Sequence, residues 1–191
     1  MRPVRMEMTA FGPYKDHTVL DFDKLGNGIY AITGPTGAGK TTIFDAMMFA
    51  LYEQVSGQSA DAKKNPVDKN SVRNKNMVRS KYADRRTDTV VRLVFEERGK
   101  QYTVTRTIHE TPSNLIFGAY LEGEDIPAVK DNTKVTAEIE RILGGMDAVR
   151  FRQVVMLAQG QFRSFMEAKD DQRKEILEKR FDIRPFREFQ E

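Results

Sequence analysis

The most informative part of this chain is a glycine-rich stretch, Gly34-Pro35-Thr36-Gly37-Ala38-Gly39-Lys40-Thr41, which fills every fixed position of the pattern G-x-x-x-x-G-K-T. An apolar run over residues 28–33 precedes it, and a helix-compatible run over residues 41–52 follows it. The sequence therefore predicts a buried strand, a glycine-rich loop and a core helix in succession. That succession is typical of a P-loop nucleotide-binding fold.

This loop is predicted to bind the phosphates of a nucleoside triphosphate, with ATP and Mg²⁺ as the cofactors. Backbone N–H groups of such a loop point at one spot, and the positive end of the helix dipole adds to their attraction for an anion. Lys40 supplies a full charge to the terminal phosphates, and the Thr41 hydroxyl is placed to ligate Mg²⁺. The predicted binding residues in this stretch are Gly34, Pro35, Thr36, Gly37, Ala38, Gly39, Lys40, Thr41 and Thr42.

The composition indicates a globular chain and excludes several classes of protein. In 191 residues, a hydrophobic content of 39 % with 12 Phe can bury a core. The absence of cysteine excludes disulfides and Cys-based metal sites. No apolar run approaches the roughly 20 residues of a membrane span, and the N-terminus shows no signal-peptide core. We therefore expect a cytoplasmic protein with no membrane partner.

Hydrophobic periodicity predicts the remaining elements. The turn residues at 11–14 predict a hairpin between the first two strands, next to the strand at 28–33. A helix is predicted where apolar residues recur between 135 and 143, ended by Gly144-Gly145. The predicted strands cover residues 2–9, 17–22, 28–33, 89–97, 101–109, 115–121 and 154–157.

A basic insertion is predicted at about residues 54–86, where apolar periodicity is lost. Residues 63–86 hold nine Lys and Arg against two Asp, so the positive charge of the chain is concentrated there. Lys and Arg dominate non-specific contacts with a DNA backbone. A solvated loop is the alternative interpretation, because charge runs are often tails or loops.

Parts of a complete P-loop ATPase are missing from the sequence. Such an enzyme needs an acidic residue at the end of a second apolar strand to hold Mg²⁺. Only residues 93–97 come near, and they continue into a hairpin turn, so they are a poor candidate. Gln159 follows the predicted strand at 154–157, where its amide could ligate Mg²⁺ and contact the attacking water. The alternative for Gln159 is a solvated turn residue.

In this combination the chain resembles the N-terminal ATPase half of the SbcC exonuclease subunits. These are bacterial relatives of the double-strand-break repair ATPases and of the SMC proteins. The resemblance covers nearly the whole chain in order. It rests on the P-loop and on residues 10–14, 20–22, 32–46, 77–80, 155–162 and 173–178.

The resemblance implies an α/β fold: the N-terminal lobe of an ABC-type ATPase head, with a mixed sheet, an antiparallel β-subdomain and flanking helices. Residues 1–183 would form half of the head, and residues 184–191 would begin a coiled coil. Lys40 and Gln159 would be catalytic, with Thr41 and Gln159 as metal ligands and Gln159 as the Q-loop glutamine. Tyr14 and Lys15 would contact the base and ribose of the nucleotide.

The resemblance also implies partners. They are the chain's own C-terminal half with the signature and Walker B motifs, a second head in an ATP-dependent homodimer, an SbcD-type nuclease and double-stranded DNA ends. The isolated 191 residues are expected to be nearly inactive in hydrolysis. Three alternatives stay open: another SMC-, RecF- or RecN-like DNA-repair head, a nucleotide-binding clamp that does not hydrolyse, and a small-molecule P-loop kinase.

Overall fold

The computed structural model describes residues 1–26, 28–55, 78–111 and 114–154. The chain divides into two compact units, residues 1–146 and residues 147–191. Within the described ranges, no helix has the length and apolar character needed to cross a membrane. The predicted boundary between residues 183 and 184 lies outside the described residues.

The first unit is built on a six-stranded sheet in which every neighbouring pair is antiparallel. The predicted hairpin and third strand after the insertion are confirmed as β3, β4 and β5. The described strands make up the expected antiparallel part of the sheet; a parallel strand is not among them. In the sheet order β2-β1-β3-β4-β5-β6, the strands are β1 Arg2–Thr9, β2 Thr18–Asp21, β3 Thr89–Glu97, β4 Lys100–Glu110, β5 Leu115–Gly123 and β6 Ile126–Val129.

Two helices of this unit pack against the sheet. Helix α1, Lys40–Tyr52, contacts β3 and β4, and helix α2, Asn132–Ile142, contacts β5 and α1. Alternate strand residues such as Leu93 and Val104 are fully buried, because one face of an antiparallel sheet packs on the core. The predicted core helix is confirmed in α1, most of whose apolar side chains are buried. Helix α2 is capped by Asp131, which accepts a hydrogen bond from the Lys134 N–H at 2.9 Å.

The predicted buried strand at residues 28–33 is wrong. These residues adopt no regular structure, and Ile29 is fully exposed. A strand needs a neighbour for its backbone groups. The strand was expected beside the hairpin of β1 and β2, but β1 is paired on both edges and residues 28–33 do not pair with β2.

The second unit contains one described helix, α3, Ala148–Val154. Val154 was predicted to begin a buried strand, and that prediction is wrong, because Val154 ends this helix. The Asp147 carboxylate accepts a hydrogen bond from the Arg150 N–H at 2.7 Å, which is the geometry of a helix N-terminus. The rest of the predicted strand, residues 155–157, lies outside the described residues.

Candidate nucleotide-binding site

The glycine-rich loop leads directly into α1, as the motif predicts. Residues 34–38 are exposed, and α1 begins at Lys40, immediately after Gly39. Gly39 has a left-handed backbone with a φ of 89°, and a Cβ there would lie 2.7 Å from Pro13 Cγ. Only glycine fits such a position without strain. Because Gly39 has no side-chain acceptor, it leaves the first N–H groups of α1 to other partners.

The Lys40 ammonium is held over the loop. Its Nζ donates to the carbonyl oxygens of Gly34 and Pro35, at 2.8 Å in each case. An ammonium has three N–H donors, so these two bonds leave a third for a phosphate oxygen. Lys40 therefore brings a positioned positive charge to the end of the helix that already favours anions.

A tight turn at Phe11–Tyr14 packs against the end of the loop. Backbone hydrogen bonds of 2.9 Å run in both directions between Phe11 and Tyr14. The Tyr14 hydroxyl donates to Gly39 O at 3.2 Å. A Cβ on Gly12, whose φ is +54°, would lie 2.7 Å from Thr42 Cγ2. The structure thus brings Tyr14 and Thr42, two predicted site residues, to the same end of the loop.

The remaining predicted site residues are Thr41, Lys15 and Gln159. Thr41 is exposed in the first turn of α1, as a ligand for a metal ion from solvent requires. The Lys15 side chain is 60 % exposed, with its Nζ 3.8 Å from Asp16 Oδ2. Among the described residues, no hydrogen bond or ion pair joins Lys15 to the loop. Gln159 lies outside the described residues, so its role stays a prediction.

The acidic residues at the end of β3 are engaged elsewhere. Glu96 forms an ion pair with Arg2 at 2.8 Å, and Glu97 forms one with the N-terminal amine of Met1. The strand then turns back through the hairpin into β4. The sequence made this stretch a poor candidate for the metal-holding strand, and its ion pairs agree.

The end of the basic insertion is bound to the same turn that packs on the loop. Gly12 N donates to Val78 O and Ser80 N donates to Ala10 O, both at 2.8 Å. Within the insertion, the Arg79 guanidinium donates a hydrogen bond to the Asp84 carbonyl at 2.7 Å. Residues 78–80, part of a stretch on which the resemblance rests, therefore lie next to the Phe11–Tyr14 turn. Most of the insertion, residues 56–77, lies outside the described residues.

The opposite end of α1 is fixed by a buried arginine that the sequence reasoning missed. Arg106, in the centre of β4, is 1 % exposed. Burial lowers its pKa to about 10, against the opposing effect of the Glu53 carboxylate 3.5 Å away, so it is charged at neutral pH. Its hydrogen-bond acceptors are Ala50 O (3.1 Å) and Leu51 O (3.2 Å) in α1, and Asn132 O (3.4 Å), Asn132 Oδ1 (3.2 Å) and Thr136 Oγ1 (2.7 Å) in α2.

A signal for Arg106 was present in the sequence. Alternation places it on the same face of β4 as Val104 and Ile108, both of which are buried. A charged residue at an inward position needs several acceptors, because an unpaired buried charge is expensive. The identity of those acceptors depends on how α1 and α2 pack, which strand periodicity does not encode.

Comparison of the sequence with known proteins identifies the family of this chain. A family model described as an AAA domain matches residues 5–185. The chain is 32 % identical to the SbcC subunit of the nuclease SbcCD from Vibrio cholerae, over 93 % of this chain and 17 % of that protein. It is 31 % identical to the SbcC subunit from Staphylococcus saprophyticus, over 100 % of this chain and 18 % of that protein.

A third relative, from Aquifex aeolicus, is described as a probable DNA double-strand break repair Rad50 ATPase. It is 34 % identical over 93 % of this chain and 16 % of its own length. The chain therefore spans about a sixth of the length of these relatives, and the predicted resemblance to SbcC proteins is confirmed. With a complete P-loop and a family match over most of its length, the chain belongs to the AAA domain family of P-loop ATPases.

Proposed function

We propose that this chain is the ATP-binding part of an SbcC-type ATPase head. The observation that carries the proposal is the position of Lys40, whose ammonium lies on the loop carbonyls at the N-terminus of a core helix. This arrangement offers an anion both a charge and a set of backbone donors. The similarity to SbcC proteins over nearly the whole chain supports the same interpretation.

The residues of the loop fit ATP and Mg²⁺. The backbone of residues 34–39 would surround the phosphates, and the Lys40 ammonium would contact the terminal ones. The exposed Thr41 hydroxyl and the Gln159 amide would ligate Mg²⁺, a hard cation that prefers oxygen ligands. Bound Mg²⁺ would neutralise negative charge that develops on the phosphates during hydrolysis.

In the complete protein, the remaining catalytic parts would come from a C-terminal half that carries the signature and Walker B motifs. Two heads would enclose ATP between them, and hydrolysis would separate them again. A segment or interface biased by the γ-phosphate is a common switching device. This cycle would gate the access of an SbcD-type nuclease to double-stranded DNA ends during repair.

A nucleotide-binding clamp that does not hydrolyse ATP is the second candidate. The side chains at the end of β3 support it for this chain alone, because Glu96 forms an ion pair with Arg2 and Glu97 forms one with the N-terminal amine of Met1. The two candidates differ in whether the chain supports turnover once a C-terminal half is added.

Titration of MgATP into the chain, followed by calorimetry, tests the proposal. Lys40→Ala removes a charge-assisted contact worth about 2–5 kcal/mol, so affinity should fall at least about 30-fold. Lys24→Ala is the matched control, because Lys24 is 82 % exposed and pairs only with Asp21 among the described residues. Its affinity should be that of the unaltered chain.

Hydrolysis separates the two candidates. The chain alone should hydrolyse ATP negligibly, and a C-terminal half of the SbcC type should restore turnover that Lys40→Ala abolishes. If the isolated chain turns over at about 1 s⁻¹, within the usual range of enzymes, the split-head proposal is wrong. If it binds no ATP at all, both candidates fail.

A further inference from the structure

The Phe11–Tyr14 turn is a firmly held part of the molecule. Phe11 is 1 % exposed, and its ring lies 5.6 Å from the ring of Phe49 in α1, measured between centroids. Gly12 N, in the turn, also donates to Val78 O, and Ala10 O, just before the turn, accepts from Ser80 N. Because it is anchored in the core on one side and on a neighbouring segment on the other, the turn can fix whatever its last residue contacts.

Tyr14 contacts the last peptide of the glycine-rich loop. Its hydroxyl donates to Gly39 O at 3.2 Å, and the space next to Gly39 Cα is filled by Pro13 and by the tyrosine itself. Burial raises the pKa of Tyr14 above its ordinary value of about 10, so the hydroxyl carries its proton at neutral pH and acts as the donor.

This hydrogen bond determines the direction of a second group. The carbonyl of Gly39 and the N–H of Lys40 belong to one peptide unit, which is planar and trans, so the two groups point in opposite directions. Fixing the carbonyl on the Tyr14 side directs the Lys40 N–H away from Tyr14. The N–H of Lys40 is also one of the first in α1, which have no acceptor within the helix.

We propose that Tyr14 is a positioning residue for phosphate binding, which orients the Gly39–Lys40 peptide so that the Lys40 N–H faces the phosphates. This inference rests on the proposed ATP binding and differs from the role expected for Tyr14, a contact with the base or ribose. A base contact would use the ring, and a ribose contact would use the hydroxyl without changing the Lys40 N–H of the nucleotide-free chain. Phenylalanine retains the ring and removes the hydroxyl.

Tyr14→Phe is therefore the decisive variant, with Tyr120→Phe as the matched control. The Tyr120 hydroxyl donates to Glu122 at 2.9 Å on the exposed face of β5, so its removal also deletes one hydrogen bond. A hydrogen bond is worth about 0.5–1.5 kcal/mol net, so Tyr14→Phe should weaken MgATP and MgADP about 2- to 10-fold and by similar factors. The preference for ATP over GTP should be unchanged, and Tyr120→Phe should have no effect.

A spectroscopic readout separates positioning from a general loss of stability. The backbone amide resonance of Lys40 should shift in Tyr14→Phe without nucleotide, whereas that of Gly37, earlier in the loop, should not. An unchanged Lys40 resonance would overturn the inference whether or not the affinities fall, because weaker binding alone would fit a ribose contact of the hydroxyl. So would Tyr14→Ala changing the ATP-over-GTP preference while Tyr14→Phe leaves affinity intact, because that pattern identifies a base contact.

The same experiment distinguishes failure of this inference from failure of the proposed function. If the unaltered chain binds MgATP and Lys40→Ala loses it, the proposed function stands whatever Tyr14→Phe does. If Tyr14→Phe then binds like the unaltered chain, only the positioning role is refuted.

Discussion

The two ends of α1 are built in opposite ways. At its N-terminus the helix emerges from an exposed loop through Gly39, and the protein places no side-chain cap there. At its C-terminus the carbonyls of Ala50 and Leu51 are buried and accept hydrogen bonds from the Arg106 guanidinium. One end is open to solvent and the other is closed by a charge from the core.

The two ends differ in the group that balances the helix dipole. A helix carries about half a positive charge at its N-terminus and half a negative charge at its C-terminus, and each end is stabilised by the opposite sign. Here the cation for the C-terminus is the protein's own Arg106. For the N-terminus, we propose that the anion is a phosphate of bound nucleotide. Arg106 also binds Thr136 in α2, so it ties α1 to a second helix and to the sheet.

The largest expected effect comes from breaking the closed end. Arg106→Ala leaves the buried carbonyls of Ala50 and Leu51 without their donor and removes the buried partner of the half-exposed Glu53, a change that costs about 3–5 kcal/mol. We expect that loss in the free energy of unfolding, measured with urea. Arg106→Met fills more of the volume and should lose less. Arg92→Ala on the exposed face of β3 is the control and should stay within about 0.5 kcal/mol of the parent. An Arg106→Ala chain as stable as that control would show that the closed end does not anchor α1.

A smaller effect is expected at the open end, from a pair of glycine substitutions. Gly37 and Gly39 both have a left-handed backbone, with φ of 84° and 89°. A Cβ on Gly37 meets nothing within 4 Å, whereas a Cβ on Gly39 lies 2.7 Å from Pro13 Cγ. Gly37→Ala should therefore show only the conformational cost of about 1–2 kcal/mol.

Gly39→Ala should show the same conformational cost and, in addition, displace the Phe11–Tyr14 turn. Its stability and its affinity for MgATP should therefore both fall further than those of Gly37→Ala. Thermal unfolding and ATP titration of the two variants measure the difference. Equal losses in both would mean that the turn does not press on the loop.

The sequence predicted the features whose cause is local. The P-loop pattern, the core helix and the hairpin of β3 and β4 follow from residue spacing and turn chemistry, and the structure confirms them. The predicted strand at residues 28–33 is wrong because an apolar run forms a buried strand only where a neighbouring strand pairs with it, and none of the described strands pairs with these residues.

The site was predictable in part for the same reason. Lys40 and Thr41 are identified by the local motif. The contact between Tyr14 and Gly39 instead joins residues 25 positions apart, so no local pattern predicts it. It depends on the Phe11–Tyr14 turn packing against Phe49. Arg106 is likewise 56 positions from Ala50, the first carbonyl it binds. Such long-range contacts are set by packing, and single-sequence periodicity does not report them.

Amide hydrogen exchange along α1, measured with and without MgATP, tests the contrast between its two ends most directly. Exchange of the Lys40 and Thr41 amides should slow when MgATP binds, because these N–H groups gain phosphate acceptors. Exchange of the Ala50 and Leu51 amides should slow only by the general stabilisation that ligand binding gives, because their N–H groups are already hydrogen bonded within α1 and gain no new acceptor. Unchanged exchange at Lys40 and Thr41 under saturating MgATP would contradict the proposal that the N-terminus of α1 binds the phosphates.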